Sequence, residues 1–298
     1  MATPLFGLVE AGGTKVALGI ASGPDAILEE GRIETTTPDE TLARSVDWVR
    51  AAAARHGAIK AVGVASFGPI ELDRASPAWG ALRATPKPGW SGADMVAPFR
   101  EAFRAPVGFD TDVNAAALAE QRWGAGRDVR LAVYVTVGTG IGGGAVVDGR
   151  TLVGLSHPEM GHIPVARHPR DQDFAGSCRF HGVCLEGLAS GPAISARWGA
   201  TLSELPTDHV AHEIVAHYVA QMCTALQAMM EPGRILLGGG VMETPGLLGR
   251  VRESARTLQN GYFRGDPDTV IAAPALAPRS GLLGALALAQ DALAAEAR

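Results

Sequence analysis

Hydrophobic and polar positions along the chain set out the same plan twice. The apolar blocks Leu5–Val9 and Val16–Ala21 flank Glu10-Ala11-Gly12-Gly13-Thr14-Lys15, which predicts a strand, a glycine tip and a returning strand. Residues 26–36 read as a third strand, stopped by Thr37-Pro38. Pro38 opens a helix through Arg55, with Leu42, Val46, Val49 and Ala53 at helical spacing, and Ile59–Ser66 is a buried-type strand ending at Phe67-Gly68-Pro69. Residues 71–91, rich in Pro, Trp and Gly, read as a long loop of the kind that is functional or disordered. A helix over 94–104 and a short strand over 107–109 follow. Asp110-Thr111-Asp112-Val113-Asn114 then leads into an alanine-rich helix to about Trp123, where an acidic residue suits the positive end of the dipole.

From Leu131 the plan repeats. Apolar runs on either side of Val137-Gly138-Thr139-Gly140-Ile141-Gly142-Gly143-Gly144 predict a second hairpin, with strand resuming over 144–147, and a short third strand over 150–154. An irregular insertion spans 155–184. Helices are expected at 185–198 and 208–230, a strand at 234–237 followed by Gly238-Gly239-Gly240, a helix at 247–260, a strand at 270–273 and a last helix from Ser280. Each half reads βββαβαβα.

The tips bring in chemistry. Glycine removes a Cβ where the backbone must take positive φ or approach a ligand closely, and consecutive bare N–H groups make an anion-binding concavity. Gly138 to Gly143 spell G-x-G-x-x-G, but a strand follows rather than a helix, which sets a dinucleotide fold aside. Either hairpin alone is an ordinary turn. Two, each opening one half, point to loops gripping one polyphosphate, with Thr136 and Thr139 as hydroxyl donors and Lys15 as one of only three lysines, beside 60 and 87. In the insertion, His162, Cys178, His181 and Cys184 offer two imidazoles and two thiolates, with the C-x2-H-x2-C spacing of a tetrahedral zinc knuckle and no open position, hence a structural ion. His157 and His168 are substitutes for any ligand that fails. His56, His209, His212 and His217 read as solvated, and Met222, Met229 and Met230 as helix-packing residues.

Composition narrows the classes. At 298 residues, 47% hydrophobic and 19% charged, the chain is globular and long enough for two domains. A net charge of -5 leaves no footprint for nucleic acid, no segment resembles a signal peptide or membrane span, and a cytoplasmic protein is expected.

The motifs EAGGTK at 10–15, SFGPI at 66–70, TPKPGW at 85–90, DTDVNAAALAE at 110–120, VTVGTGIGGG at 135–144, HPEMGHI at 157–163 and CxxHxxCLEGLASGP at 178–192 together resemble the ROK sugar kinases, in their fructokinase and mannokinase branch. The resemblance implies a duplicated ribonuclease-H-like, actin-like ATPase fold with two lobes around a central cleft. The lobes are expected over 1–113, with the helix 280–298 packing back on it, and over 114–279, including the insertion 155–184. The implied activity is transfer of a phosphoryl group from ATP, with Mg²⁺, to the 6-hydroxyl of a hexose, fructose first. Asp112 is the implied general base, Asp110 a helix cap, and Gly68, Pro69, Asn114, Glu159, His162 and Glu186 the sugar contacts. Glu10, Gly12, Gly13, Thr14, Lys15, Thr136, Gly138, Thr139, Gly140, Gly238 and Gly239 are the nucleotide contacts, Glu10 standing where many relatives of the fold carry Asp. A homodimer is expected, without nucleic-acid or membrane partners. The family's repressors carry an additional N-terminal DNA-binding domain, which is not expected here. Alternatives are a kinase for mannose, glucose or an N-acetyl amino sugar, and a non-catalytic sugar sensor.

Overall fold

The computed structural model of the chain describes residues 3–297. The first half runs β1 (Leu5–Ala11), β2 (Lys15–Gly23), β3 (Ala26–Glu34), α1 (Pro38–His56), β4 (Ile59–Ser66), α2 (Ala97–Phe103), β5 (Val107–Thr111) and α3 (Asp112–Trp123). The second runs β6 (Leu131–Val137), β7 (Ile141–Val147), β8 (Arg150–Thr151), α4 (Leu185–Ala189), α5 (Gly191–Trp198), α6 (Val210–Met230), β9 (Arg234–Gly238), α7 (Leu247–Gln259), α8 (Pro267–Val270), β10 (Ile271–Ala272) and α9 (Ser280–Glu296). One sheet has the order β3-β2-β1-β4-β5 and the other β10-β9-β6-β7-β8. Counted from the start of each half, both read third, second, first, fourth, fifth, so the duplication extends from the pattern to the topology. Strands joined by tips pair antiparallel, and those reached through a helix pair parallel, as crossover connections require.

The chain divides into two compact units. The first takes residues up to Trp123, Arg150–Pro158 and everything from Pro278; the second takes Gly124–Gly149 and Glu159–Ala277. The expected boundary at 113/114 is therefore corrected to 123/124: α3 packs in the first unit, because Ala115 lies against α9 so closely that a Cβ on Gly284 would come 2.3 Å from its carbonyl carbon.

In the first unit β1 and β4 are buried almost throughout, since helices cover both faces of their sheet. Gly7, paired with Val62, turns its bare Cα toward Val49 of α1, whereas the next residue, Gly63, faces α9. A Cβ on Gly63 would sit 1.8 Å from the Ala285 carbonyl oxygen, and one on Gly108 2.1 Å from that of Leu288, so α9 rests on the sheet backbone to backbone. In the second unit Val133, Val135, Ile235 and Leu237 meet Ile214, Val215, Tyr218 and Val219 of α6 and Val251 and Ala255 of α7 in one core. No helix among the described residues is long and apolar enough to cross a membrane.

Several expectations change. Strand β7 begins at Ile141, so Gly142, Gly143 and Gly144 lie in a strand and only 138–140 form the tip. The helix expected at 185–198 breaks at Ser190, which is extended and caps α5 by accepting from the Ala193 N–H; Gly191-Pro192 is the local signal for it. The strand expected over 270–273 is the last turn of α8 followed by two strand residues. His212 is buried rather than solvated, His209 caps α6 through Nδ1, and Met229 is exposed.

Candidate functional site

In the first unit the tip between β1 and β2 directs its carbonyls into the protein. Gly12 O accepts from the Thr35 hydroxyl (2.8 Å), Gly13 O from Lys87 Nζ (2.5 Å), Thr14 O from the Thr35 N–H (3.0 Å) and Lys15 O from the Gly12 N–H (2.9 Å). The N–H groups of Gly13 and Thr14 donate to nothing among the described residues, and both residues are exposed together with Lys15. With acceptors withdrawn and donors and a cation left outward, this is a surface that attracts anions. Neither Gly12 nor Gly13 takes a left-handed φ, so the expected conformational reason for glycine gives way to a steric one at Gly12, where a Cβ would lie 2.9 Å from Lys15 O.

Beside the tip, Glu10 is half-buried and faces Asp112. Burial first and the repulsion of Asp112 second push its carboxyl up to about 7, against the opposing pull of Lys15 and Arg32. Its Oε1 lies where a Cβ on Gly281, in the first turn of α9, would come within 2.2 Å. Asp112 is the first residue of α3, half-buried, with Oδ1 accepting from the Val113 N–H at 2.9 Å. Thr111, not Asp110, caps this helix, taking the Asn114 N–H on its hydroxyl at 3.1 Å. Asp110 lies at the end of β5 and accepts from the Thr111 N–H (2.7 Å), from Asn114 Nδ2 (2.8 Å) and from the Thr151 hydroxyl, while burial holds its carboxyl above the usual range. Asn114 is fully buried with its Oδ1 unpartnered. Nearby, Gly68 and Pro69 join through a cis peptide, and His157 Nε2 accepts from the Ile70 N–H at 3.1 Å. His157 therefore supports this loop and is no reserve metal ligand. Its partner is 87 residues away along the chain, which no local pattern reveals.

In the second unit the tip between β6 and β7 repeats the arrangement. Gly138 O accepts from the Gly191 N–H (2.7 Å), Gly140 O from the Gly138 N–H (2.9 Å) and Val137 O from the Val241 N–H (2.9 Å), while the N–H groups of Thr139 and Gly140 donate to nothing among the described residues. Glu186 Oε2 accepts from the Ile141 N–H at 2.9 Å and lies 2.8 Å from where a Cβ on Gly140 would be, so Gly140 too is glycine for space. Thr136 pairs with Gly238, and Gly239, at φ +91°, would place a Cβ 2.7 Å from the Thr136 hydroxyl. Glu159 is exposed and opens the 3-10 turn Met160–His162.

His162, Cys178, His181 and Cys184 converge, their ligand atoms all within 4.8 Å of one another. His162 Nδ1 stands 3.7 Å from Cys178 Sγ and 3.5 Å from Cys184 Sγ, and His181 Nδ1 3.8 Å from Cys178 Sγ. Burial pushes the Cys184 thiol up to about 11, and the adjacent Cys178 thiol adds to the rise. The four could hold one metal ion. His168 is elsewhere, its Nε2 3.3 Å from Glu213 Oε1. The middle of the insertion has supports of its own: Asp171 pairs with Arg197 and accepts from the Tyr218 hydroxyl at 2.7 Å, Arg167 donates to the Asp171 and Phe174 carbonyls, and Gln221 exchanges two hydrogen bonds with the Ala166 backbone.

Compared with known proteins, the chain matches the model of the ROK family over residues 6–292. It is 49% identical over 297 residues to a fructokinase of Zymomonas mobilis subsp. mobilis, covering 98% of this chain and 97% of that one. The crystal structure of a ROK hexokinase from Thermus thermophilus superposes with a TM-score of 0.79 at 26% identity, covering 99% of this chain and 100% of the other. A ROK family glucokinase from Streptomyces griseus, in complex with glucose and AMPPNP, gives 0.75 at 27%, covering 96% and 99%.

Proposed function

The chain belongs to the ROK family and is a sugar kinase, and we propose that it moves the terminal phosphoryl group of ATP to the 6-hydroxyl of fructose. The observation that carries the reading is the pair of hairpin tips at which two adjacent N–H groups stay free among the described residues, once in each unit, while protein donors hold the Gly12–Lys15 carbonyls in the first and the Gly138 and Gly140 carbonyls in the second. Phosphoryl transfer needs placement of a polyphosphate, neutralisation of its charge and an acceptor for the hydroxyl's proton. The tip Gly12, Gly13, Thr14 with Lys15, and the tip Gly138, Thr139, Gly140 with Thr136, serve the first need, and Gly238 and Gly239 give the backbone room for the nucleoside. Asp112 takes the proton. It is the first residue of α3, and the N-terminal end of that helix favours a negative charge there.

Glu10 is the group for the Mg²⁺ that accompanies ATP: a half-buried carboxyl repelled by Asp112 gains from a nearby cation, which would lower the charge on the phosphates. Fructose hydroxyls fall to Gly68, Pro69, Asn114, Glu159, His162 and Glu186. Asn114 Oδ1 lacks a protein donor, and one Glu186 oxygen remains beside the one bonded to Ile141. The metal is zinc. A tetrahedral ion with sulfur at about 2.3 Å and nitrogen at about 2.0 Å has S···N edges of about 3.5 Å, and the distances here are 3.5, 3.7 and 3.8 Å. Coordination through Nδ1 leaves His162 Nε2 for the sugar. A homodimer completes the reading, resting on apolar side chains exposed in each unit, Leu155 in the first and Phe180 in the second. Unpaired cysteines and use of ATP suit the cytoplasm.

ADP release measured across a panel of hexoses tests the function. Fructose should give the highest kcat/KM, with mannose and glucose below it. A preference for an N-acetyl amino sugar would replace the substrate, and hexose binding without ADP release would make the protein a sensor.

A further inference from the structure

The long loop over residues 71–91 ties two parts of the first unit together. At one end the Arg83 N–H donates to Pro69 O (2.7 Å) and the Thr85 hydroxyl to Gly68 O (3.4 Å), on the loop assigned to the sugar. At the other end the Lys87 ammonium reaches Gly13 O at 2.5 Å, on the tip assigned to phosphate. The loop is anchored behind both by Trp90, fully buried, whose indole N–H donates to Thr36 O at 2.9 Å.

Lys87 is one of three lysines, and only it and Lys15 stand at the tip. Among the described residues no carboxylate pairs with it: its neighbours are the neutral Gly13 carbonyl and the Trp90 ring, 5.9 Å away. An ammonium carries three donors, and one is used. The contact also removes the only carbonyl of the tip that no other group engages, the other three being held by Thr35 and Gly12. Without Lys87, Gly13 O would be free to face an approaching anion with a negative oxygen.

We propose that Lys87 is a phosphate ligand of the first tip: its ammonium masks the Gly13 carbonyl and gives its remaining donors to the terminal phosphates of the nucleotide. The proposal rests on the kinase reading, and makes the loop that lies along Gly68–Pro69 a contributor to donor binding as well.

Calorimetry with ATP, ADP and AMP on the full-length Lys87→Met and Lys87→Arg proteins tests it, beside steady-state kinetics. One charge-assisted contact is worth about ten-fold or more in affinity. Lys87→Met should therefore weaken ATP at least that much and AMP little, with fructose KM within about two-fold of the parent. Lys87→Arg should recover most of the ATP affinity, since it retains charge and donors. Equal losses for ATP and AMP, a loss confined to fructose, or no rescue by arginine would each overturn the assignment, as would a Lys87→Met protein that folds and binds ATP normally. Should the parent bind ATP yet phosphorylate no sugar, the kinase reading fails while the nucleotide series still decides the role of Lys87. A parent that binds no nucleotide would overturn both.

Discussion

Glu10 and Asp112 share one electrostatic problem, two half-buried acidic side chains facing each other, and Glu10 bears its cost with a carboxyl raised to about 7. The native state therefore holds a proton that the unfolded chain releases near 4.5, so this contribution to stability is fully present below about pH 4.5 and is lost as pH rises through about 7. A shift of this size is worth at most about 3 kcal/mol. In the absence of nucleotide and Mg²⁺, the parent's Tm should fall between about pH 5 and pH 8 by more than that of Glu10→Gln, which has nothing to titrate there; coincident Tm-pH curves would show a solvated Glu10. Asp112→Asn removes the repulsion and should shrink the same difference. In the kinetic assay Asp112→Asn should lose about 10² to 10⁴ in kcat with fructose affinity within a few fold, and near-normal kcat would send the search for a base elsewhere. Both residues were legible as letters in a motif. Their coupling was not, because it comes from the juxtaposition of β1 with the start of α3, which the spacing from 10 to 112 does not encode.

Elements were readable where period alone decides them. The run Ile59–Ser66 is the strand β4 to the residue, and α1 differs from its expected end by one, since buried strands and one-sided helices each announce themselves. Glycines were readable as important but not for the right cause: Gly12 and Gly140 are glycine for room, and among the candidate site glycines the left-handed φ lies at Gly239. The two tips should consequently respond differently. Gly13 has nothing within 4 Å of its Cβ position, so Gly13→Val should weaken ATP binding with Tm unchanged, by crowding the free N–H groups. Gly140→Val must displace Glu186, and should lower stability by about 1–3 kcal/mol while weakening sugar as well as nucleotide. Calorimetry and thermal melts on the pair check both; identical effects would mean the tips are simple turns. The insertion is likewise only half explained by the four residues proposed to bind zinc. Arg197, Tyr218 and Gln221 pin residues 166–174 from α5 and α6, so Cys184→Ser should release about one zinc per chain and loosen 177–184 in hydrogen exchange while 166–174 stays protected. A metal-free parent, or exchange that rises across the whole insertion, would refute that division.

At the scale of the molecule the chain's end completes its beginning. The first unit draws on residues up to Trp123, on Arg150–Pro158 and on the stretch from Pro278, whereas the second is built from residues lying between these in sequence. Helix α9 is no appendage: Leu282, Leu283, Ala285, Leu286 and Ala289 are buried, Ser280 donates to Glu120 at 2.8 Å, and Arg122 pairs with Asp291 at 2.5 Å. Its closeness to the sheet depends on Gly63 and Gly108, where a side chain would enter the helix backbone itself, which cannot yield as a flexible side chain could. A chain ending at Pro278 should therefore leave the face of β1, β4 and β5 opposite α1 uncovered, and the first unit should lose its amide protection, with no nucleotide bound at the Gly12–Lys15 tip. The second unit keeps its own core and the four residues proposed to bind zinc, so it should retain the metal and protected amides in α6 and α7. The full-length Gly63→Val protein separates loss of the helix from loss of its fit: overpacking of a core typically costs about 1–3 kcal/mol and more against rigid backbone, and the damage should again be confined to the first unit. Hydrogen exchange resolved by peptide reads both proteins. Uniform loss of protection through α6 and α7 in either one would show that the two units fold as a single cooperative body, and that the division seen in their contacts has no energetic counterpart.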